Sequence, residues 1–345
     1  MTWSRVVLAA ALIPLAMLSP RGAWSRSTGY TILNRFSPGG EGGWDLLALD
    51  PGAHRLYVSR STRVQVLDVN SGKLVGEIPD TPGVHGIALA PELGRGYTSN
   101  GRDSSVTVFD LRTLATLAKI HLDARNPDVI LYEPESKRVF CFNGGSDNAV
   151  AIDAAAGRVE GSIALGGRPE LAVADGRGRV FVNLEDSSAV VSFDARTLVL
   201  GERWPLAPGE EPTGLALDPV HRRLFAGCSN QRMVILDADS GRLITNLPIG
   251  KGVDGVAFDP GRRLAFSSNG EGTLTVVHED SPSRFSLVGD APTQARARTL
   301  ALDPKTHRIY LPTATFGEPP AATAENPHPR PPMIPGSFVI LVLGR

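Results

Sequence analysis

GLALDP, residues 214–219, ends an apolar run on an acidic residue and a proline, and the chain repeats it along its length. LLALDP closes on Asp50, VILYEP on Glu133, GVAFDP on Asp259 and TLALDP on Asp303, with weaker copies, GIALAP at Ala90 and LAVADG at Asp175, in the gaps. Successive anchors lie 40 to 44 residues apart. Self-similarity at such a period marks a propeller or a solenoid. Outward from each anchor, four short apolar runs separated by turn residues fill the repeat: DLLALD, RLYVS, VQVLD and KLVGEI in the first, HGIALA, RGYTS, VTVFD and LAKIHL in the second. Alternation, β-branched residues and Gly/Pro/Asn/Asp punctuation specify strands. Four strands per repeat match a propeller blade, whereas a parallel β-helix uses a shorter rung. The expected fold is all-β, a seven-bladed β-propeller with four-stranded blades.

The ends fit closure of a ring. The last copy supplies three strands, TLALD, RIYLP and FVILVL, and one lone run, YTILNRF (Tyr30 to Phe36), precedes the first copy. Placed on the outside of blade seven, that run completes the count and removes an exposed edge.

The 345 residues carry 42% hydrophobic composition and a formal net charge of −1, with no basic stripe. A nucleic-acid partner is therefore not expected, since nothing would drive counterion release. Arg5, followed by the apolar run Val6 to Leu18 and by Ala23-Trp24-Ser25, reads as a secretory signal over residues 1–25 with cleavage before Arg26. The run is shorter than the roughly 20 residues of a membrane span. The mature chain, residues 26–345, is expected to be one periplasmic or secreted propeller domain, monomeric and without a membrane span. Cys141 and Cys228 fall in repeats three and five, too far apart in a ring for a disulfide. The absence of C-x-x-C-H excludes haem c.

Tyr97-Thr98-Ser99-Asn100 followed by Val106-Thr107-Val108-Phe109-Asp110 resembles the YVTN β-propeller repeat, as do Phe140 to Asn143 with Val150 to Asp153, and Pro248 to Pro260. The resemblance covers residues 30 to 345 and implies an exported bacterial propeller. Blade seven departs from the pattern, its inter-strand loop swelling into the Pro-rich segment Ala314 to Gly336.

Strands in a blade alternate in direction, so the loops that lead into the innermost strands and those joining the second and third strands open on one face. Loops fixed by a rigid frame are the usual place for function. Counting five residues back from each anchor picks Asp45, His85, Asp128, Glu170, Thr213, Asp254 and Arg298 as a ring around the channel mouth. Four are carboxylates, and converging carboxylates beside a histidine suit a divalent cation or a small polar ligand. The structural alternative is a mouth that is simply wet and polar. Asn100, Asn143, Asn183, Asn230 and Asn269 read as turn asparagines in left-handed backbone. His54, His221 and His307 occur in DPGAHR, DPVHRR and DPKTHR, and read as one repeated turn feature on the opposite face. The blade-seven loop, with Phe316, Glu318, Glu325, His328 and Arg330, is either a lid over the channel or a solvated excursion.

No nucleophile elbow, zincin helix, phosphate loop or dinucleotide fingerprint is present. The function expected is non-catalytic binding of a small ligand or a partner protein at the mouth. The alternative is a metal-assisted hydrolase of the lactonase type built on the mouth carboxylates, and a third reading is a structural or adhesion module. No cofactor is identified, although a divalent cation is compatible with the carboxylates.

Overall fold

The computed structural model describes residues 1, 27–323 and 329–345. The expected signal segment thus lies outside the described residues except for Met1, as do Glu325 and His328 of the blade-seven loop. The described chain forms seven four-stranded sheets, paired antiparallel throughout. It is a seven-bladed propeller, and no described helix is long and apolar enough to cross a membrane. Blade one runs outward from Leu47–Asp50 through Arg55–Arg60 and Arg63–Asp68 to Leu74–Ile78, and blades two to six repeat the plan.

Burial follows the layering. The second strands, such as Arg138–Asn143, are buried on both faces because each blade packs between two others. The outer strands, such as Leu200–Pro205, are mostly exposed. This is why the middle strands read as near-continuous apolar runs while the outer ones alternate.

The repeated acidic anchor has a local cause. Asp50 Oδ1 accepts the amides of Gly52 and Ala53 at 2.9 Å, and Asp175, Asp218, Asp259 and Asp303 likewise cap the turn that follows them. The turn ends on a left-handed residue, four places after the anchor at His54, Gly94, Lys137, Arg222, Arg263 and His307 and three places after Asp175 at Gly178. His54 and His307 are therefore equivalent, but His221 stands one residue earlier and is not part of that repeated feature.

Closure is as expected. Thr31–Phe36 pairs with Val339–Gly344 as the outer strand of blade seven, with Thr31 opposite Gly344 and Phe36 opposite Ile340. Tyr30, just outside the strand, is buried edge-on against Phe266 with ring centroids 5.1 Å apart.

Candidate functional site at the channel mouth

The innermost strands of blades two to six begin at Val84, Pro127, Pro169, Pro212 and Val253. His85, Asp128, Glu170, Thr213 and Asp254 are the second residues of these strands, each at a register shift against the next strand. A bulge bends a strand and re-aims a side chain, here toward the channel. Asp45 and Arg298 precede the shorter inner strands of blades one and seven. All seven line one cavity of about 1000 Å³. Below it, Leu46, Val129 and Leu171 continue into an apolar channel shared with Ile87, Leu215 and Leu300.

The densest part of the ring is Asp45–His85–Asp128. His85 Nδ1 lies 2.7 Å from Asp45 Oδ2 and 3.6 Å from Asp128 Oδ1, and the three groups offer ligand atoms within 4.8 Å of one another. Their backbone is pinned: Asp45 N donates to Ser59 Oγ at 2.9 Å, Thr299 Oγ1 donates to the Asp45 carbonyl at 2.8 Å, and Ser99 Oγ donates to the Asp128 carbonyl. Gly101 passes so close that a Cβ there would stand 3.0 Å from His85 Nε2.

The electrostatics are unusual for a surface. The hydrogen bond to Asp45 raises the His85 imidazole above its ordinary range, with the Asp128 charge adding to it and burial opposing. Burial pushes Asp128 up to about 6, against the attraction of His85. Burial pushes Asp254 up to about 7, although Arg298 sits 3.1 Å away. Glu170 is raised by burial and by the charges of Asp128 and Glu185. Carboxylates raised by burial inside a cleft mark a candidate functional site.

Counting back from the anchors missed Arg168, Glu185 and Arg296, whereas the blade-seven loop was expected on the mouth face from its place between strands. Arg168 pairs with Glu185 at the cavity wall. Glu185 follows a second strand, so the rule about which loops share the mouth face could have found it. The loop does reach the mouth: Phe316, Arg330, Pro331 and Met333 line the cavity. Phe316 bridges Met333, takes the Arg296 guanidinium 3.9 Å from its ring centroid, and stands 6.0 Å from the Trp44 ring.

The asparagines are structural, but not through left-handed backbone, since none of the five has positive φ. Asn100 and Asn269 close strand ends by side-chain bonds: Asn100 Nδ2 donates to Ser105 Oγ and Thr107 Oγ1, Asn269 Nδ2 to Thr273 Oγ1 and Thr275 Oγ1. Asn143 donates to Asn148 Oδ1 at 2.9 Å across the same hairpin. Asn183 and Asn230 are out of register with these, the corresponding strand ends being Leu184 and Cys228. Cys141 and Cys228 are both free and buried, and burial pushes the Cys228 thiol up to about 12, so both are inert.

No family model matches the chain. A 95-residue stretch is 33% identical to antigen Lp49 of Leptospira interrogans serogroup Icterohaemorrhagiae serovar copenhageni (strain Fiocruz L1-130), covering 26% of this chain and 21% of that protein. The chain thus matches about a fifth of that relative's length. Among solved structures, a chain of the mitotic checkpoint complex superposes with a TM-score of 0.74 at 14% identity, covering 99% of each chain. The WD40 repeats of RRP9 give a TM-score of 0.74 at 10% identity over 93% of this chain and 99% of that one. U3-55K gives 0.73 at 10% identity over 92% and 99%. At such identities the likeness concerns the fold alone, a seven-bladed propeller.

Proposed function

We propose that this protein is an exported, non-catalytic propeller of the YVTN type that binds a small polar ligand or a partner protein at its channel mouth. The observation that carries this reading is the mouth cavity itself: among the described residues five carboxylates, one histidine and four arginines converge on it, and burial holds Asp128, Glu170 and Asp254 above the usual carboxylate range. Polar groups converging on a concave surface above an apolar floor are the general form of a ligand site. That one similar solved chain belongs to a complex supports partner binding as a use of this fold. Export rests on the apolar run behind Arg5 and on the YVTN-like repeats.

A hydrolase of the lactonase type is the second reading, favoured by the Asp45–His85–Asp128 trio alone. A divalent cation there would lower the pKa of a bound water, and a neighbouring carboxylate would take its proton.

The test is to purify the protein and a variant carrying Asp45→Ala, His85→Ala and Asp128→Ala, then compare bound metals and small molecules by mass spectrometry. Co-purifying proteins are compared in parallel. The variant is expected to fold and to lose what the parent carries. Identical bound species in both would move the site elsewhere. Ester or lactone hydrolysis by the parent, dependent on a divalent cation and absent from the variant, would replace binding with catalysis.

A further inference from the structure

The face opposite the mouth carries the capped turns, and the repeat can be compared with itself there. In six blades the residue after the third strand's sixth position donates its N–H to the carbonyl of a left-handed turn residue: Val69 to His54, Leu111 to Gly94, Ala154 to Lys137, Ala195 to Gly178, Ala238 to Arg222 and Glu279 to Arg263. Five of these are apolar; the sixth is Glu279. It is 1% exposed, and among the described residues neither of its carboxylate oxygens accepts a well-formed hydrogen bond, its nearest polar neighbour being His221. A buried carboxylate without donors is costly unless a cation meets it.

What faces it is equally exceptional. Immediately before the left-handed turn residue stand Ala53, Leu93, Ser136, Arg177, Arg262 and Thr306, and in blade five alone His221. Its Nδ1 lies 3.2 Å from Glu279 Oε1 and 2.9 Å from Asp218 Oδ2. The anchors on either side are partnered from the next blade, Asp175 by Arg222 at 2.9 Å and Asp259 by His307 Nδ1 at 2.7 Å. The residue corresponding to these in blade six is Arg263, which is exposed. Among the described residues no cation from blade six pairs with Asp218; it meets Glu279 instead.

One imidazole nitrogen and two carboxylates, their ligand atoms all within 4.8 Å, form a recognised donor set for a borderline divalent cation. With metal–ligand bonds of about 2.0–2.2 Å, ligand atoms around a tetrahedral ion stand roughly 3.4 Å apart, close to the separations already present. We propose that Asp218, His221 and Glu279 bind one divalent transition cation of the zinc class, joining blade five to blade six. The His221 side chain is 32% exposed, so solvent reaches the trio from its side, while Asp218 and Glu279 are buried.

The test uses the full chain carrying His85→Ala, which removes the histidine of the mouth trio, after stripping with a chelator. Titration with Zn²⁺ by calorimetry is expected to show one equivalent bound, with a zinc-dependent rise in Tm, because a ligand held only by the folded state stabilises it. Adding Glu279→Ala or His221→Ala is expected to weaken that binding at least a hundredfold and abolish the rise. Glu279→Ala places in blade six the residue that three other blades carry, so its metal-free Tm is expected to equal or exceed the parent's. Failure to take up zinc, or equal uptake after Glu279→Ala, would overturn the proposal. So would a His221–carboxylate pair that stabilises the fold with pH but is indifferent to zinc.

Discussion

Asp254 shows how a single mouth residue trades stability for charge. Its carboxyl is pushed up to about 7 by burial, while in an unfolded chain it titrates near 4. The folded state therefore holds a proton that the unfolded state releases, and stability falls as pH rises from about 4 to about 7. Asp254→Asn removes the charge and keeps the shape. It is expected to exceed the parent's stability by about 1–3 kcal/mol at pH 8 and to match it near pH 4, as urea unfolding at the two pH values would show. Equal stabilities at both would mean that Arg298 fully compensates the charge. At this scale the sequence was legible where a residue's role comes from the repeat and opaque where it comes from a neighbour. Counting from the anchor brought Asp45 to Arg298 to one cavity, because each holds the same place in its blade. It misaligned His221, Asn183 and Asn230, since residue type is no guide to register. It also passed over Arg60, which takes the strand-end place that Asn100 holds in blade two. Arg60 is fully buried, donating to the carbonyls of Gly39, Gly40 and Gly42 with its guanidinium 3.7 Å from the Phe338 ring centroid. It clamps the segment that crosses from blade seven to blade one, a contact that no local pattern announces.

Among the elements, the strands were legible because their period and turn chemistry agree. The bulges at the mouth were not, because an extra residue in one strand leaves no mark on composition. The blade-seven loop was ambiguous in sequence, since many prolines restrict a chain whether or not it packs. Its described part packs: Gly317 N donates to the Pro332 carbonyl at 2.9 Å, Ile334 N to the Thr315 carbonyl at 2.9 Å, and Phe316 lies against Trp44. Replacing 314–336 by a short Gly-Ser turn is expected to red-shift Trp44 emission and to speed exchange of whatever the mouth holds, with the fold retained. The other tryptophan of the expected mature chain, Trp204, lies in the outer strand of blade four, so the change reports on the mouth. Unchanged emission and exchange would mean that the loop merely borders the cavity.

For the whole molecule, closure matters most, and it was legible because three strands at one end and one at the other can only be reconciled in a shared blade. A chain starting at Ser37 loses Tyr30, Phe36 and the ladder to Val339–Gly344. Its stability is expected to drop by several kcal/mol, seen as a lower thermal midpoint. An unchanged midpoint would show that six blades and a three-stranded seventh suffice. The ligand was not legible at this scale, because a propeller frame accommodates unrelated functions and only the loops and mouth residues differ between them. The shared blade also fixes how the protein bears mechanical load. Thr31 and Gly344 lie side by side on antiparallel strands, so tension between the two chain ends acts across the ladder at its edge. The bonds then open one after another, like a zipper, and the six remaining blades stay slack until that seam has parted. A load applied between the two ends is thus expected to be taken first by the ladder between Thr31–Phe36 and Val339–Gly344, before any other blade is strained.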